Sequence, residues 1–600
     1  MPIVAVDFET YYDKELSIGD QGIYHYLRSP KSDIYLVSIA ADSGLRFVGH
    51  PKDFDWSQIS GPDWTWLSHN AQFDMPVFRR LVELNVGNTG SVTSIEAWHD
   101  TADLAAFLGV PRSLKMASAA LLKKTLSKDV RDAMKGETWD SMSPDFRKRV
   151  EDYAISDAEN CLLLWTEFGD KWPTHEREIS HMTREMAVRG VPMDVLGLDT
   201  DIEKIELSLW ETRQLIPWKD ELNRTPSKAK KGETIALLSS IALREECAKN
   251  GLVPPKSFAQ GDPEAEQFFE DHSPNFPWIQ AVRDYRKAGK HVKTLQTMRN
   301  RLRPDGHMSY GLKYGGAHTL RDSGDSGLNV QNLPKGLVCG VDIRAKIKAP
   351  TGFIFAIADL SQIEPRVLHW LADDKGTLDY IRLIPDLYEA QARAWGLYKE
   401  EGRLSEIDPK LRFLMKQLAL GLGYGMGAKR FVEAAGLPFE EAQRLVTLYR
   451  TKNPKITALW KKLDASMEIT SRHPSDKLFQ MILPSGRAMN YRNVARVNGV
   501  LTAEIPRNGK YMRLPFWGGV LVENCTQGVA RDVFMLQCLE IEKSGIPVVM
   551  RVHDEAVCLI PKEGSEKTLE GILKVMSTPP EWAPGLPLAA EGKLSEVYRK

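Results

Sequence analysis

Residues 353–372 read FIFAIADLSQIEPRVLHWLA, and the fold turns on how this stretch is parsed. Phe353 to Ala358 is an apolar run of strand length, rich in strand formers. It ends on Asp359. Ser361-Gln-Ile-Glu364 then reads as a helix start, with Val367, Leu368, Leu371 and Ala372 forming the apolar face behind it. A carboxylate therefore stands at the end of a buried strand, beside a helix N-terminus. Such a group is costly to bury unpaired, and a metal ion is the obvious partner. Read alone, the joint has a plainer explanation, in which Glu364 is only the acceptor of a capping box.

Working outward, a chain of 600 residues implies several domains. Lys plus Arg number 79 and Asp plus Glu 80, so net charge neither favours nor excludes nucleic acid, and a local basic stripe would have to bind phosphate. Six cysteines, at 161, 247, 339, 525, 538 and 558, show no CxxC spacing. That disfavours a zinc knuckle or disulfide framework and suits a reducing compartment. The N-terminus, MPIVAVDFET, has no basic n-region or apolar h-region. No apolar run reaches the roughly 18–20 residues of a membrane span. Internal repeats and low-complexity tracts are lacking.

In the first 170 residues a short strand, Ile3 to Val6, runs into Asp7-Phe-Glu9. Alternation puts Asp7 and Glu9 on one face, where they repel unless a cation lies between them. Further on come Asn70-Ala-Gln-Phe-Asp74, after the Trp64/Trp66 segment, and Tyr153-Ala-Ile-Ser-Asp157 in a helical pattern. Tyr153 and Asp157, four apart, share a helix face. DxE, NxxFD and YxxxD in this order resemble the DEDDy group of 3′–5′ exonucleases. The resemblance implies that Asp7, Glu9, Asp74 and Asp157 hold two divalent metals and that Tyr153 orients the attacking water. Asp100 is read as structural support, with a direct role as the alternative.

The middle of the chain carries long helical patterns, then the polar stretch Arg224 to Glu233. That stretch is either a solvated loop or a tip touching a nucleic-acid backbone. Residues 283–303 hold eight Lys/Arg against one acidic residue. Arg283, Arg286, Lys287, Lys290 and Lys293 recur at three and four, a basic helix stripe able to track phosphates. Tyr314-Gly-Gly-Ala-His-Thr319-Leu-Arg321 and Gln331-Asn332 follow. The glycines allow close backbone approach, and Gln and Asn can read base edges.

This block resembles the TGR…LQNIP segment of family A DNA polymerases, which implies primer–template contacts for Arg321, Gln331 and Asn332. Leu320 replaces the usual glycine. Residues 359–366 then resemble motif A of that family. The implied roles are Asp359 as a ligand of both catalytic metals, Glu364 as a gate against a ribose 2′-OH, and Gln362 beside the incoming dNTP. In LRFLMKQLALGLGYGMG (411–427), Arg412, Lys416, Leu420 and Tyr424 follow at intervals of four and are expected to form one slowly drifting helix face. This resembles motif B. Arg412 and Lys416 would neutralise the triphosphate, Leu420 would face the sugar, Tyr424 would stack in the templating region, and Lys416 would be the acid for pyrophosphate. Two strand-like runs around His553-Asp554-Glu555 resemble motif C, with Asp554 the second metal ligand, Glu555 a secondary carboxylate and His553 a primer-end contact. Gln527 resembles the minor-groove glutamine of the family, with Asn524 and Arg531 weaker candidates.

The resemblance covers essentially the whole chain. It implies an α/β multidomain fold: an RNase H-like exonuclease domain (1–170), then a right hand of thumb (171–310), palm (311–385), fingers (386–470) and palm again (471–600), with no room for an N-terminal 5′ nuclease. It implies template-directed DNA synthesis with 3′–5′ proofreading, using two Mg²⁺ per active site, for which Mn²⁺ can substitute. Expected partners are primer–template DNA, dNTPs and a replisome or processivity factor. A monomer is expected, without a membrane, in the cytoplasm (the host's, for a phage enzyme). Three other classes compete. A single-subunit RNA polymerase should lack the glutamate gate and the exonuclease motifs. A stand-alone exonuclease would leave 350–600 without purpose. A non-catalytic DNA-binding protein would have no reason to keep every carboxylate.

Overall fold

The structure, a computed structural model, describes residues 2–127, 129–221, 236–259 and 261–599. The polar stretch 224–233 lies outside the described residues. The chain divides into two compact units: residues 1–191, 309–332 and 351–596, and residues 192–308, 333–350 and 597–600.

The larger unit begins with a five-stranded sheet. Its strands are β1 (Ile3–Thr10), β2 (Ile34–Ala41), β3 (Arg46–Gly49), β4 (Thr65–Ser68) and β5 (Ala97–Asp100), in the order β3-β2-β1-β4-β5. β1 runs antiparallel to β2 and parallel to β4. Val4, Val6 and Phe8 of β1 enter a core built on Trp56, Trp66, Phe78 and Trp98, with the Trp66 and Trp98 rings 5.0 Å apart. The helix Pro144–Phe168 starts on a Ser143 cap with proline at its first position, a pairing that pre-organises the first turn. It lies across the sheet, where Ser38 Oγ donates to the Ala154 carbonyl at 2.9 Å.

A second sheet in this unit is antiparallel throughout, in the order Val548–Val552, Glu555–Pro561, Phe353–Leu360, Ala590–Ser595. Its central strand, Phe353–Leu360, buries Phe355 to Ala358. The strand and helix expected there are present, but the joint differs from a capping box. The helix Ile363–Leu371 starts after Gln362, whose backbone is left-handed (φ 54°), and no side chain caps it. Buried Arg366 holds the turn instead, donating to the carbonyls of Ser361 (2.8 Å), Pro587 (3.2 Å) and Pro385 (2.5 Å). The helices between residues 387 and 472 surround a core containing Tyr388, Met415, Leu418, Phe431 and Tyr449.

One element escaped the sequence reading. Phe479–Ile482, Ala488–Val497, Val500–Arg507 and Lys510–Pro515 form a four-stranded antiparallel meander. Two of its turns are Asn498-Gly499 (φ 48°, 78°) and Asn508-Gly509 (φ 51°, 75°), the Asn-Gly pairs that suit tight hairpins.

In the smaller unit, helices Val195–Gln214 and Pro277–Asn300 pack together. Arg299 Nε donates to Asp199 at 2.6 Å and Gln296 Nε2 to Glu206 at 2.8 Å. Trp218, Leu243, Phe268 and Ile279 lie in its core. The basic stripe is partly neutralised: Arg283 pairs with Glu266, and Arg286 donates to the Phe258 carbonyl at 2.9 Å. Lys287, Lys290 and Lys293 stay exposed. The helix Thr174–Arg189, expected with this segment, belongs to the larger unit. No helix among the described residues is long and apolar enough to cross a membrane.

Candidate functional site

The larger unit holds two groups of carboxylates. The first lines a cleft of ≈ 570 Å³ together with Tyr153. Asp7 and Glu9 alternate with buried Phe8 on β1 and so share its open face. Asp74 comes from the helix Ala71–Glu83, and Tyr153 and Asp157 come from successive turns of Pro144–Phe168. The Phe8 amide donates to Asp74 Oδ1 at 3.2 Å, fixing the helix to the strand. Burial, then Asp74, Glu9 and Asp157, pushes Asp7 well above the usual carboxylate range. Burial and Asp157 push Glu9 up to about 8, against the pull of Arg131. Burial foremost also raises Asp74, and burial and Asp157 raise the Tyr153 hydroxyl. Among the described residues no three ligand-type side chains are already closed to coordination spacing. The fit to a cation rests on like charge gathered in one cleft, which a divalent ion would neutralise.

Asp100 supports this cleft from behind. Its carboxylate accepts from the amides of Asn70 (3.2 Å), Ala71 (2.9 Å) and Ala102 (2.8 Å), so it anchors the N-termini of two helices. The motif reading missed Arg112, Arg131 and Lys313, which line the same cleft. They stand alone in the sequence, without spacing to mark them.

The second group lies at one end of the antiparallel sheet. Asp359, next to last in its strand, pairs in register with Glu555 on one side and Glu591 on the other. His553 and Asp554 form the turn between the neighbouring strands, His553 with a left-handed backbone (φ 60°). The Leu360 amide donates to the Asp554 carbonyl at 3.1 Å, so the backbones bearing Asp359 and Asp554 touch. Like charges opposite one another across a ladder destabilise it, and here too the donor set fits a cation. Glu591 carried no motif and was missed.

Beyond this end lies a polar network. Glu364 accepts from Arg321 Nη2 at 2.5 Å and from the Tyr424 hydroxyl at 3.3 Å. Burial and Glu364 raise the Tyr424 hydroxyl well above its usual range. Gln362 is engaged at both ends: Nε2 donates to Asp386 Oδ1 at 2.8 Å, and Oε1 accepts from the Leu387 amide at 2.8 Å. Asp386, unmarked in the sequence, also accepts from Arg412 Nε at 2.7 Å. Lys416 is exposed, and Leu420 is 37% exposed.

Three expectations change. The single stripe from Arg412 to Tyr424 is broken: the α-helix ends at Gln417, a turn of π-helix spans Leu418–Leu422, and Tyr424 lies in the turn beyond. Gly421, Gly423 and Gly425 are poor helix formers, which is why the rod gives way there. Arg531 is no surface contact: it is buried against Glu176, Asp532 and the Tyr314 ring. The close approach at Gly316 is internal, since a Cβ there would meet Ser323 Oγ at 1.9 Å. Elsewhere, Gln527 Nε2 donates to Glu523 at 3.2 Å and Asn524 to the Tyr491 hydroxyl at 3.0 Å. Gln331 and Asn332 lie in a short 3₁₀ turn, Asn332 exposed. Leu320 is buried with a left-handed backbone (φ 66°), a conformation natural to the glycine it replaces.

Comparison with known proteins adds the following. A family model described as DNA polymerase family A matches residues 219–600. A DNA polymerase of Bacillus phage SP02 is 25% identical over 690 aligned residues, covering 100% of both chains. The thermostable DNA polymerase I of Thermus filiformis is 26% identical over 434 residues, 70% of this chain and 46% of that one. Among solved structures, the POL domain of Pol1 from M. smegmatis, in complex with DNA primer-template and dNTP, has a TM-score of 0.69 at 16% identity. That likeness covers 99% of this chain and 95% of the other and is one of fold.

Proposed function

The chain belongs to DNA polymerase family A, and we propose that it extends a primer 3′-OH with dNTPs on a DNA template and removes misplaced ends with a 3′–5′ exonuclease. The observation that carries the synthetic reading is the contact of Leu360 with Asp554, which brings the two carboxylate-bearing backbones together beside the Arg321–Glu364–Tyr424 network. The cleft of Asp7, Glu9, Asp74 and Asp157 supports the degradative one.

Asp359 and Asp554 would hold the divalent ions, Mg²⁺ or Mn²⁺, with Glu555 in support. When bound, two such ions activate the attacking oxygen and neutralise the leaving one. The protein's own groups do the rest. Arg412 and Lys416 meet the triphosphate, and Arg412 must first leave Asp386. Lys416, exposed to solvent, carries the proton to pyrophosphate. Glu364 closes the space beside C2′, and its two hydrogen bonds hold it in that pose. Arg321, Gln331, Asn332, Gln527 and His553 face the primer–template. In the exonuclease cleft, Tyr153 orients the water. We place the thumb at 171–310 and the fingers at 386–470, with palm on either side of the fingers. The enzyme acts as a monomer in the cytoplasm, a host's if phage-encoded, and the full-length likeness to a phage polymerase supports this.

The test is primer extension by Asp554→Asn with Mg²⁺. Extension should be lost while degradation of single strands persists. Extension that survives overturns the assignment of the metal-binding turn. Supplying rNTPs in place of dNTPs separates a DNA from an RNA polymerase.

A further inference from the structure

The strand Val548–Val552 is an edge strand that ends just before the His553-Asp554 turn, and its outer side is covered by the segment after residue 309. The Tyr310 hydroxyl donates to the Val549 carbonyl at 2.7 Å. Deeper in the same contact, Arg551 Nη2 donates to Asp322 Oδ2 and to Thr183 Oγ1, each at 2.6 Å. The Arg551 and Asp322 side chains are both 1% exposed. Asp322 directly follows Arg321, and Arg551 stands three residues before Asp554.

This pair is poorly built for stability. Arg551 Nε and Nη1 and Asp322 Oδ1 are buried without a hydrogen-bond partner. A buried ion pair commonly gives no more stability than apolar residues of the same volume, and a half-satisfied one gives less. What it does supply is direction. The guanidinium bridges two acceptors on separate segments and so fixes where Arg321 begins relative to the strand that ends in Asp554.

We propose that Asp322 and Arg551 are positioning residues for the primer terminus, holding the Arg321 segment in register with the metal-binding turn. The inference rests on the polymerase reading above. It is tested by extension of matched and mismatched primers with Mg²⁺, using wild type, Asp322→Asn, Arg551→Lys and the apolar pair Asp322→Leu/Arg551→Met. Melting temperature and single-strand degradation are measured alongside. Asp322→Asn should lower kcat on matched primers roughly ten- to hundredfold, as sub-ångström misplacement does. Its KM for dNTP should stay within about twofold, since the triphosphate contacts are untouched. Discrimination against mismatched ends should fall, and Arg551→Lys should be affected less. The apolar pair should recover the melting temperature but not kcat. A kcat that follows the melting temperature across the set overturns the proposal, as does wild-type kcat in the folded apolar pair. That pair also decides the matter if the single variants do not fold. A wild-type chain that extends no primer overturns the polymerase reading and this inference together, whereas the other failures strike the inference alone.

Discussion

The two carboxylate groups are assembled in different ways. In the cleft near the N-terminus, Asp7, Glu9, Asp74 and Asp157 come from a strand and two helices. In the antiparallel sheet, Asp359 and Asp554 are set by one ladder and its turn. Ladder register is discrete, because a slip of one residue turns every side chain to the other face. A helix resting on a sheet can shift by fractions of an ångström. The first group therefore depends on how its helices are anchored, which is the task of Asp100 and of the Phe8–Asp74 bond. The second group depends on its strands staying in register.

The largest expected effect separates the two. Asp7→Ala should cut single-strand degradation on the order of 10³-fold or more and leave extension within about threefold, as expected for loss of a metal ligand at one of two independent sites. Equal loss of both activities in a folded variant would join what we treat as separate. Next in size is a structural test. The helix Thr174–Arg189 gives Ser180 and Arg184 to buried Asp103 beside the first sheet, and Glu176 to Arg531 in the second region. Arg184→Ala should lower stability by about 3–5 kcal/mol, because it strands a buried carboxylate. Calorimetry should show one shifted transition, since both regions lean on that helix. Two transitions would show that they melt independently.

The third effect is pH. Glu9 stands at about 8, far above its ordinary 4.5. A metal needs the ionised carboxylate, so degradation at limiting Mg²⁺ should fall about tenfold per unit below pH 8. Excess Mg²⁺ should move that fall to lower pH. The linkage has the opposite sign for stability: the metal-free folded state binds the proton more tightly than the unfolded chain, so it loses stability as pH rises from about 5 to about 8. Glu9→Gln should flatten that slope in a melting series, and an unchanged slope would sink the explanation. The smallest effect concerns Leu320. Glycine there would relieve about 1–2 kcal/mol of left-handed strain but forfeit a buried leucine worth about 2–5 kcal/mol. Denaturant titration of Leu320→Gly should give a net loss of about 1–3 kcal/mol.

Local patterns carried most of what could be read in advance. Alternation placed Asp7 and Glu9 on one face, a spacing of four placed Tyr153 over Asp157, and two apolar runs around His553-Asp554 made a hairpin. These depend on periods of two and 3.6 residues, which a sequence shows directly. Burial is another matter. Nothing in the spacing of Arg531 or Arg283 marks them as paired, because Glu176 and Glu266 are supplied by distant or separate elements. Asp386 and Glu591 join their networks only through folding. The meander is different, since its two Asn-Gly pairs were open to a hairpin reading that was not made.

The turn of π-helix at Leu418–Leu422 has a consequence for mutation. It amounts to one surplus residue absorbed without breaking the rod. Deleting any one residue within it would let the chain rewind as ordinary α-helix, and everything downstream would swing by about 100° and retreat by about 1.5 Å. Tyr424 would then lose its reach to Glu364. Single-residue deletions here should thus be worse tolerated than substitutions of the same residues, and a deletion scan of this segment would map how much of the gate depends on one extra peptide unit.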